Sequence, residues 1–298
     1  MAIPEAQLEF WSHQGAVQTS RDTYATVKRA LENSKARYAN RDIEVFLQGS
    51  YGNDTNIYAE SDVDIVICCS DAFYHNLEKL SDDQKLAFHS HFNNASYDYT
   101  EFKTAVRDTL ADAFGTSVTL GKKAIRIAAS GARRSADVVP VFQHRRYYSF
   151  GLNDKQNFHK GVSFFTSDNQ RIDNFPKHHS ANLTAKHQAT NSRFKPMIRV
   201  FKNLRTKLVD LNRLQRGEAP SYFIEGLLYN APNNLFEADK SATTFNILNW
   251  LHDTTDRTEF ACANDLYYLV RDNSLVCWPK AHSDKFVLEA INLWNDWN

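Results

Sequence analysis

Two aspartates one residue apart, Asp62 and Asp64, interrupt an apolar, β-branched run that continues through Ile65, Val66 and Ile67. Successive side chains on a strand point to opposite faces, so the two carboxylates share a face while Val63 and Ile65 turn to a core. Carboxylates side by side repel one another unless a cation lies between them, which points to Mg²⁺ or Mn²⁺. Ahead of them stands Gln48-Gly49-Ser50, separated from Asp62 by an eleven-residue spacer. A Gly-Ser turn can present backbone N–H groups and a hydroxyl to a phosphate. Alone, Asp-x-Asp or Gly-Ser marks an ordinary turn. Here a second strand candidate, Ile43 to Leu47, leads straight into Gln48, and the combination of strand, turn, spacer and acidic strand favours the chemical reading.

A third acid, Asp137, sits in another apolar run, Ala136 to Phe142. Upstream, Lys123 to Ala128 alternates as a strand, and Ala129 to Arg134 supplies a turn, so a hairpin would bring Asp137 beside the first strands. Asp137 taken by itself could equally cap a turn or pair with Arg133 or Arg134. With Asp62 and Asp64 it completes a set able to hold two divalent ions, one activating an attacking hydroxyl and one gripping a triphosphate and its leaving pyrophosphate. Such equipment suits nucleotidyl transfer.

Gly49-Ser50, the spacer, Asp62-x-Asp64 and Asp137 together resemble the DNA polymerase β-like nucleotidyltransferase superfamily. Within it the chain resembles the bacterial CD-NTases, the cGAS/DncV-like enzymes of antiphage (CBASS) signalling. The narrower likeness is carried by Trp11-Ser12-His13-Gln14-Gly15-Ala16 with Tyr24, Gln48 to Thr55, Thr190 to Arg199, and Pro220-Ser221-Tyr222-Phe223-Ile224-Glu225. It spans almost the whole chain. The resemblance implies an α+β fold, a polymerase β-like mixed sheet with helices plus a helical C-terminal lobe. It implies two Mg²⁺ (or Mn²⁺) ions on Asp62, Asp64 and Asp137, and ATP, UTP or GTP as substrates. Lys202 matches a helix lysine that reaches donor phosphates, and Ser221 with Tyr222 match a pair whose hydroxyl meets phosphate and whose ring stacks on a base. A cyclic dinucleotide or short cyclic oligonucleotide, read by a separate effector protein, is the implied product. Rival readings are transfer to an RNA 3′ end and modification of a protein or tRNA.

These residues need a scaffold. At 298 residues the chain exceeds a comfortable single core, and two lobes are expected, 1–150 and 151–298. A helix is expected over 5–33 from Val17, Tyr24, Val27 and Leu31, then the sheet over 42–150. Inside the sheet region a polar stretch runs from Ser81 to Thr100, followed by an amphipathic helix through Phe102, Val106, Leu110 and Phe114. Val162 to Phe165 should form a hairpin turning at Ser167-Asp168-Asn169. From Pro196, Met197, Val200, Phe201, Leu204, Leu208 and Leu211 mark a buried helix face, with Lys195, Arg199, Lys202 and Thr206 on a different one. Phe286, Ala290, Leu293, Trp294 and Trp297 read as a C-terminal helix packed on the first, with room for only a short tail beyond.

Lysine plus arginine equals aspartate plus glutamate, 35 each, which gives no basic excess for a dedicated DNA or RNA surface. No stretch approaches membrane-spanning length and the N-terminus lacks a signal-peptide pattern, so a cytoplasmic protein with no membrane partner is expected. The four cysteines show no Cys-x-x-Cys and read as reduced, buried thiols. His178, His179 and His187 read as surface or helix-entry residues rather than zinc ligands. Gln48 and Asn53 each offer a donor and an acceptor suited to a base edge.

Overall fold

The computed structural model describes residues 2–15, 17–58, 62–151 and 156–297; Ala16 and Ser61, both part of the stretches above, lie outside them. The N-terminal helical signal resolves into two helices, α1 (Glu5–Ser12) and α2 (Val17–Leu31). Gly15 stands between them, its N–H donating to the Asn56 carbonyl at 3.2 Å. A β-carbon at Gly15 would sit 2.6 Å from the Ile57 carbonyl oxygen, so only glycine permits this approach.

Strand β1 (Ile43–Leu47) pairs antiparallel with β2 (Val63–Asn76), and β2 pairs parallel with β5 (Ala136–Ser149). Strands β3 (Val118–Leu120) and β4 (Ile125–Ile127) complete the order β1-β2-β5-β4-β3. The expected hairpin from β4 to β5 forms, and β6 (Asn157–Phe165) with β7 (Arg171–Asn174) forms the second hairpin along the later half of β5. In β2, Val63, Ile65, Val66, Ile67, Cys68 and Cys69 are all buried, the two-faced burial of a central strand flanked by a parallel partner. The polar stretch after Ser81 is not a loop. It holds helix α4 (Asp82–His91), begun by a capping box in which Ser81 and Gln84 satisfy each other's backbone N–H groups. Its one buried apolar residue, Phe88, packs with Leu80, Tyr147 and Phe150. Helix α5 (Tyr99–Phe114) is capped by the Asp98 carboxylate and lies on β5.

The chain divides into two units that are discontinuous in sequence, rather than being cut once after residue 150. The sheet unit takes 18–48 and 62–176. The helical unit takes 1–17, 49–61 and 177–298. The first residues join the helical unit because Ile3, Leu8 and Trp11 are buried in its core.

That core is built on α7 (Phe194–Asp210), where Met197, Val200, Phe201, Leu204 and Leu208 are buried as their spacing requires. Leu211 lies past the helix end and is 45% exposed, which removes it from the expected stripe. Around α7 pack α1, α8 (Ser221–Asn230), α9 (Lys240–Asp253) and α10 (Lys280–Asn295). The Trp11 and Trp297 rings meet edge to face with centroids 5.5 Å apart, joining the two ends of the chain as expected. Among the described residues no helix is long and apolar enough to cross a membrane, and all four cysteines are free and buried.

Candidate active site

The three acids lie together at the start of the central strands β2 and β5 of the sheet unit. Asp64 and Asp137 are register partners on the parallel strands β2 and β5. Val63 and Ile65 on one strand and Ala136 and Val138 on the other are buried, whereas both aspartates are only half-buried, so strand alternation puts the two carboxylates on the same face. Asp62, one residue ahead of β2, is tied to the same place: the Ser135 hydroxyl donates to its carboxylate, and Val63 N–H donates to the Ser135 carbonyl at 3.0 Å. Gln48, half-buried at the end of β1, donates its N–H to the Asp64 carbonyl at 3.1 Å. Arg126, the register partner of Asp137 on β4, brings a guanidinium nitrogen 3.9 Å from Asp62.

Burial pushes the Asp137 carboxyl above the usual carboxylate range, the negative charge of Asp62 adds to this, and Arg126 opposes it. A divalent cation relieves that repulsion, and three carboxylates are the hard oxygen donors such an ion takes. Among the described residues no three His, Cys, Asp or Glu side chains stand ready to hold a metal ion as they are placed. As hard oxygen donors, the carboxylates of Asp62, Asp64 and Asp137 fit such an ion.

In the helical unit, Gly49 opens a single helical turn, α3 (Gly49–Gly52), with φ of 64°, the left-handed conformation that favours glycine. Asn53 N–H donates to the Gly49 carbonyl at 3.1 Å and Thr55 N–H to the Ser50 carbonyl at 2.9 Å. Beneath this turn lies Glu225 of α8, 2% exposed. Its carboxylate accepts from Thr55 Oγ1, from Asn53 Nδ2 at 3.2 Å, and lies 2.7 Å from His179 Nε2. Burial pushes the Glu225 carboxyl up, but the His179 hydrogen bond and charge, with Lys202 and Thr55, more than offset it and hold it below its ordinary value.

Residues 181–295 match the cGAS/DncV-like nucleotidyltransferase C-terminal helical domain. Over its full length the chain is 36% identical to all of a relative from Staphylococcus haemolyticus, the cyclic nucleotide synthase CdnE01. A relative from Elizabethkingia meningoseptica, a cyclic dipurine nucleotide synthase, is 31% identical, with 95% of each chain covered. The solved structure of the Rhodothermus marinus CdnE c-UMP-AMP synthase with Apcpp and Upnpp superposes with a TM-score of 0.88 at 35% identity, covering 99% of this chain and 98% of that one. This chain belongs to the cGAS/DncV-like nucleotidyltransferases. It is a nucleotidyltransferase of the α+β class inferred from sequence.

Several residues singled out in this CD-NTase lie where their types alone did not indicate. Lys202 is fully buried on α7, its ammonium donating to the Thr55 carbonyl at 2.8 Å. As placed, it supports the turn after Ser50 from within and presents no surface to a phosphate. Asn53 is 5% exposed and committed to Glu225, which withdraws it from the base-edge role. Tyr222 and Ser221 begin α8, both half-buried. The Tyr222 hydroxyl accepts from Asn264 Nδ2 at 3.1 Å, and its ring stacks on that of His179, centroids 4.8 Å apart, so one face is already covered. His179, on α6 (Pro176–Ala189), is 3% exposed rather than a surface histidine, because Glu225 partners it; His178 and His187 are half-buried. Glu225 enters the sequence reading only within the stretch Pro220 to Glu225, yet a lone carboxylate in the apolar run Phe223 to Leu228 is the signal of a partnered, buried charge.

Proposed function

We propose that this CD-NTase joins nucleoside triphosphates into a cyclic dinucleotide, or a short cyclic oligonucleotide, as a second messenger of antiphage defence read by a separate effector protein. The full-length similarity to the Rhodothermus c-UMP-AMP synthase, solved with Apcpp and Upnpp, carries this reading. When bound, Mg²⁺ or Mn²⁺ ions on Asp62, Asp64 and Asp137 supply charge neutralisation for the triphosphate and acidify the acceptor hydroxyl. Asp62 and Asp64 bind the donor side; Gly49 and Ser50 take its phosphates through backbone N–H groups and a hydroxyl. Asp137, with the second ion, serves the acceptor side, where it would lower the pKa of the acceptor ribose hydroxyl. The hydroxyl attacks the donor α-phosphorus, the new P–O bond forms as the bond to pyrophosphate breaks, and a second round in the reversed orientation closes the ring. The relatives are named for UMP-AMP and for dipurine products at comparable identity, so similarity does not select the bases.

Incubation with each labelled NTP and Mg²⁺ or Mn²⁺, followed by phosphatase and nuclease digestion, tests this. A phosphatase-resistant small product formed from NTPs alone is expected, and it reports the bases. Turnover that appears only when RNA is supplied, with binding that falls by about 0.7 per phosphate contact on a log–log salt plot, favours RNA tailing instead.

A further inference from the structure

Resting on the phosphate role given above to Gly49 and Ser50, we propose that Glu225 is a positioning residue for nucleotide capture, one that fixes this turn from within the helical unit without touching substrate. A carboxylate buried in an apolar helix is costly unless its oxygens are bonded. Two of the bonds come from the turn itself, Thr55 Oγ1 to Oε1 and Asn53 Nδ2 to Oε2. Those residues donate their own backbone N–H groups to the carbonyls of Ser50 and Gly49. Each phosphate-binding residue is thus one residue removed from the buried carboxylate.

Asp54, between the two anchors, has φ of 57°, a conformation that costs a non-glycine residue free energy and persists where its surroundings impose it. Those surroundings are cationic: Arg199 donates to the Asp54 carbonyl at 2.6 Å and Lys195 lies 3.2 Å from its carboxylate. Lys202 grips the next carbonyl, that of Thr55. Another partner of Glu225, His179, stacks on Tyr222, so one carboxylate braces both the turn and the aromatic ring at the start of α8. Apolar packing would join helix and loop more cheaply than this buried network. What the network adds is a single fixed geometry for the turn, which is what phosphate capture requires.

Glu225→Gln keeps the volume of the side chain but replaces one acceptor oxygen with a donor. KM, kcat and melting temperature are measured for Glu225→Gln, Thr55→Val and the double variant, with NTPs and Mg²⁺. KM is expected to rise roughly tenfold to a hundredfold in Glu225→Gln, with a smaller change in kcat. The double variant should be little worse than Glu225→Gln, because both changes act on one relay. A lowered melting temperature with wild-type KM in the folded protein, or fully additive effects, would overturn the positioning role. Should Glu225→Gln fail to fold, Thr55→Val and Asn53→Ala leave the charges in place, and unchanged KM in both overturns it equally. Wild-type protein that forms no product but binds ATP contradicts only the cyclic-nucleotide reading. Calorimetric ATP affinity, lower in Thr55→Val and Asn53→Ala, then supports the relay, and equal affinity refutes it. Wild-type protein that binds no ATP removes the phosphate role of the turn and this inference together.

Discussion

Asp64 and Asp137 stand opposite one another on parallel strands, joined by the hydrogen bonding of β2 to β5, so two acids distant in sequence become lateral neighbours by register alone. A one-residue slip would send one of the carboxylates to the buried face among Ala136 and Val138 or Val63 and Ile65, which makes this register expensive to lose.

Asp62→Asn and Asp64→Asn should each abolish product while leaving the protein folded. Each loses a charged metal ligand and keeps its volume. The several kcal/mol that metal coordination contributes correspond to a rate loss of roughly a thousandfold or more. Product from labelled NTPs, measured beside a melting curve, checks this; wild-type turnover in either variant ends the proposed mechanism.

Asp137→Asn should damage chemistry more than donor binding, read as initial rates against calorimetric ATP affinity with Mg²⁺. Its stability should move the other way. Burial and Asp62 raise the Asp137 carboxyl in the folded state, so folding favours its protonated form. The associated stability is full below the unfolded-state pKa and is lost as pH rises through the folded one. Without metal, the variant should therefore melt higher than wild type at neutral pH, and the gap should close in acid. A variant less stable than wild type at pH 7 would contradict this.

Glu225 predicts the opposite slope. Its carboxyl is held below the ordinary value in the folded state, so its contribution is present above that value and is lost as pH falls through the folded pKa. Glu225→Gln should be destabilised most at neutral pH, by about 1–3 kcal/mol, the cost of leaving a buried hydrogen-bond partner of the carboxylate unsatisfied. Melting temperatures from pH 7 down to 3 should show the two proteins converging; a constant gap would mean that the charge is not what stabilises.

Gly15→Ala should destabilise the helical unit. The added β-carbon would meet the Ile57 carbonyl oxygen at 2.6 Å and its carbon at 2.7 Å, both backbone atoms, so the segment must shift at a cost of about 1–3 kcal/mol. Denaturant unfolding reads the change directly, and an unaltered midpoint would show that the contact relaxes freely.

What the sequence revealed divides along physical lines. The acids and their strands were legible because alternation fixes which face a side chain takes, and the β-branched run demanded burial around Asp62 and Asp64. The α7 stripe was legible for the same reason at helical period. Helix α4 is masked by its polar composition, and only the capping residues Ser81 and Gln84 mark its start. The fates of Asn53, Lys202 and His179 are hidden for a different reason. Asn53 and Lys202 read as facing a ligand and His179 as facing solvent, and only partners far away in sequence, Glu225 for Asn53 and His179 and the Thr55 carbonyl for Lys202, show that all three turn inward. The discontinuous units are illegible too, since the bonds that tie Asn53 and Thr55 to the helical unit are long-range in sequence.

The four buried thiols carry a practical consequence. Burial pushes Cys68 and Cys262 up to about 12 and raises Cys69, so almost no thiolate exists at neutral pH, and Cys277 is shielded by its surroundings. A single cysteine introduced on the surface would thus be the one fast-reacting sulfur in an otherwise native chain. Fluorophores or spin labels can then be placed at chosen points, with every native cysteine left as it is, to follow nucleotide capture in real time.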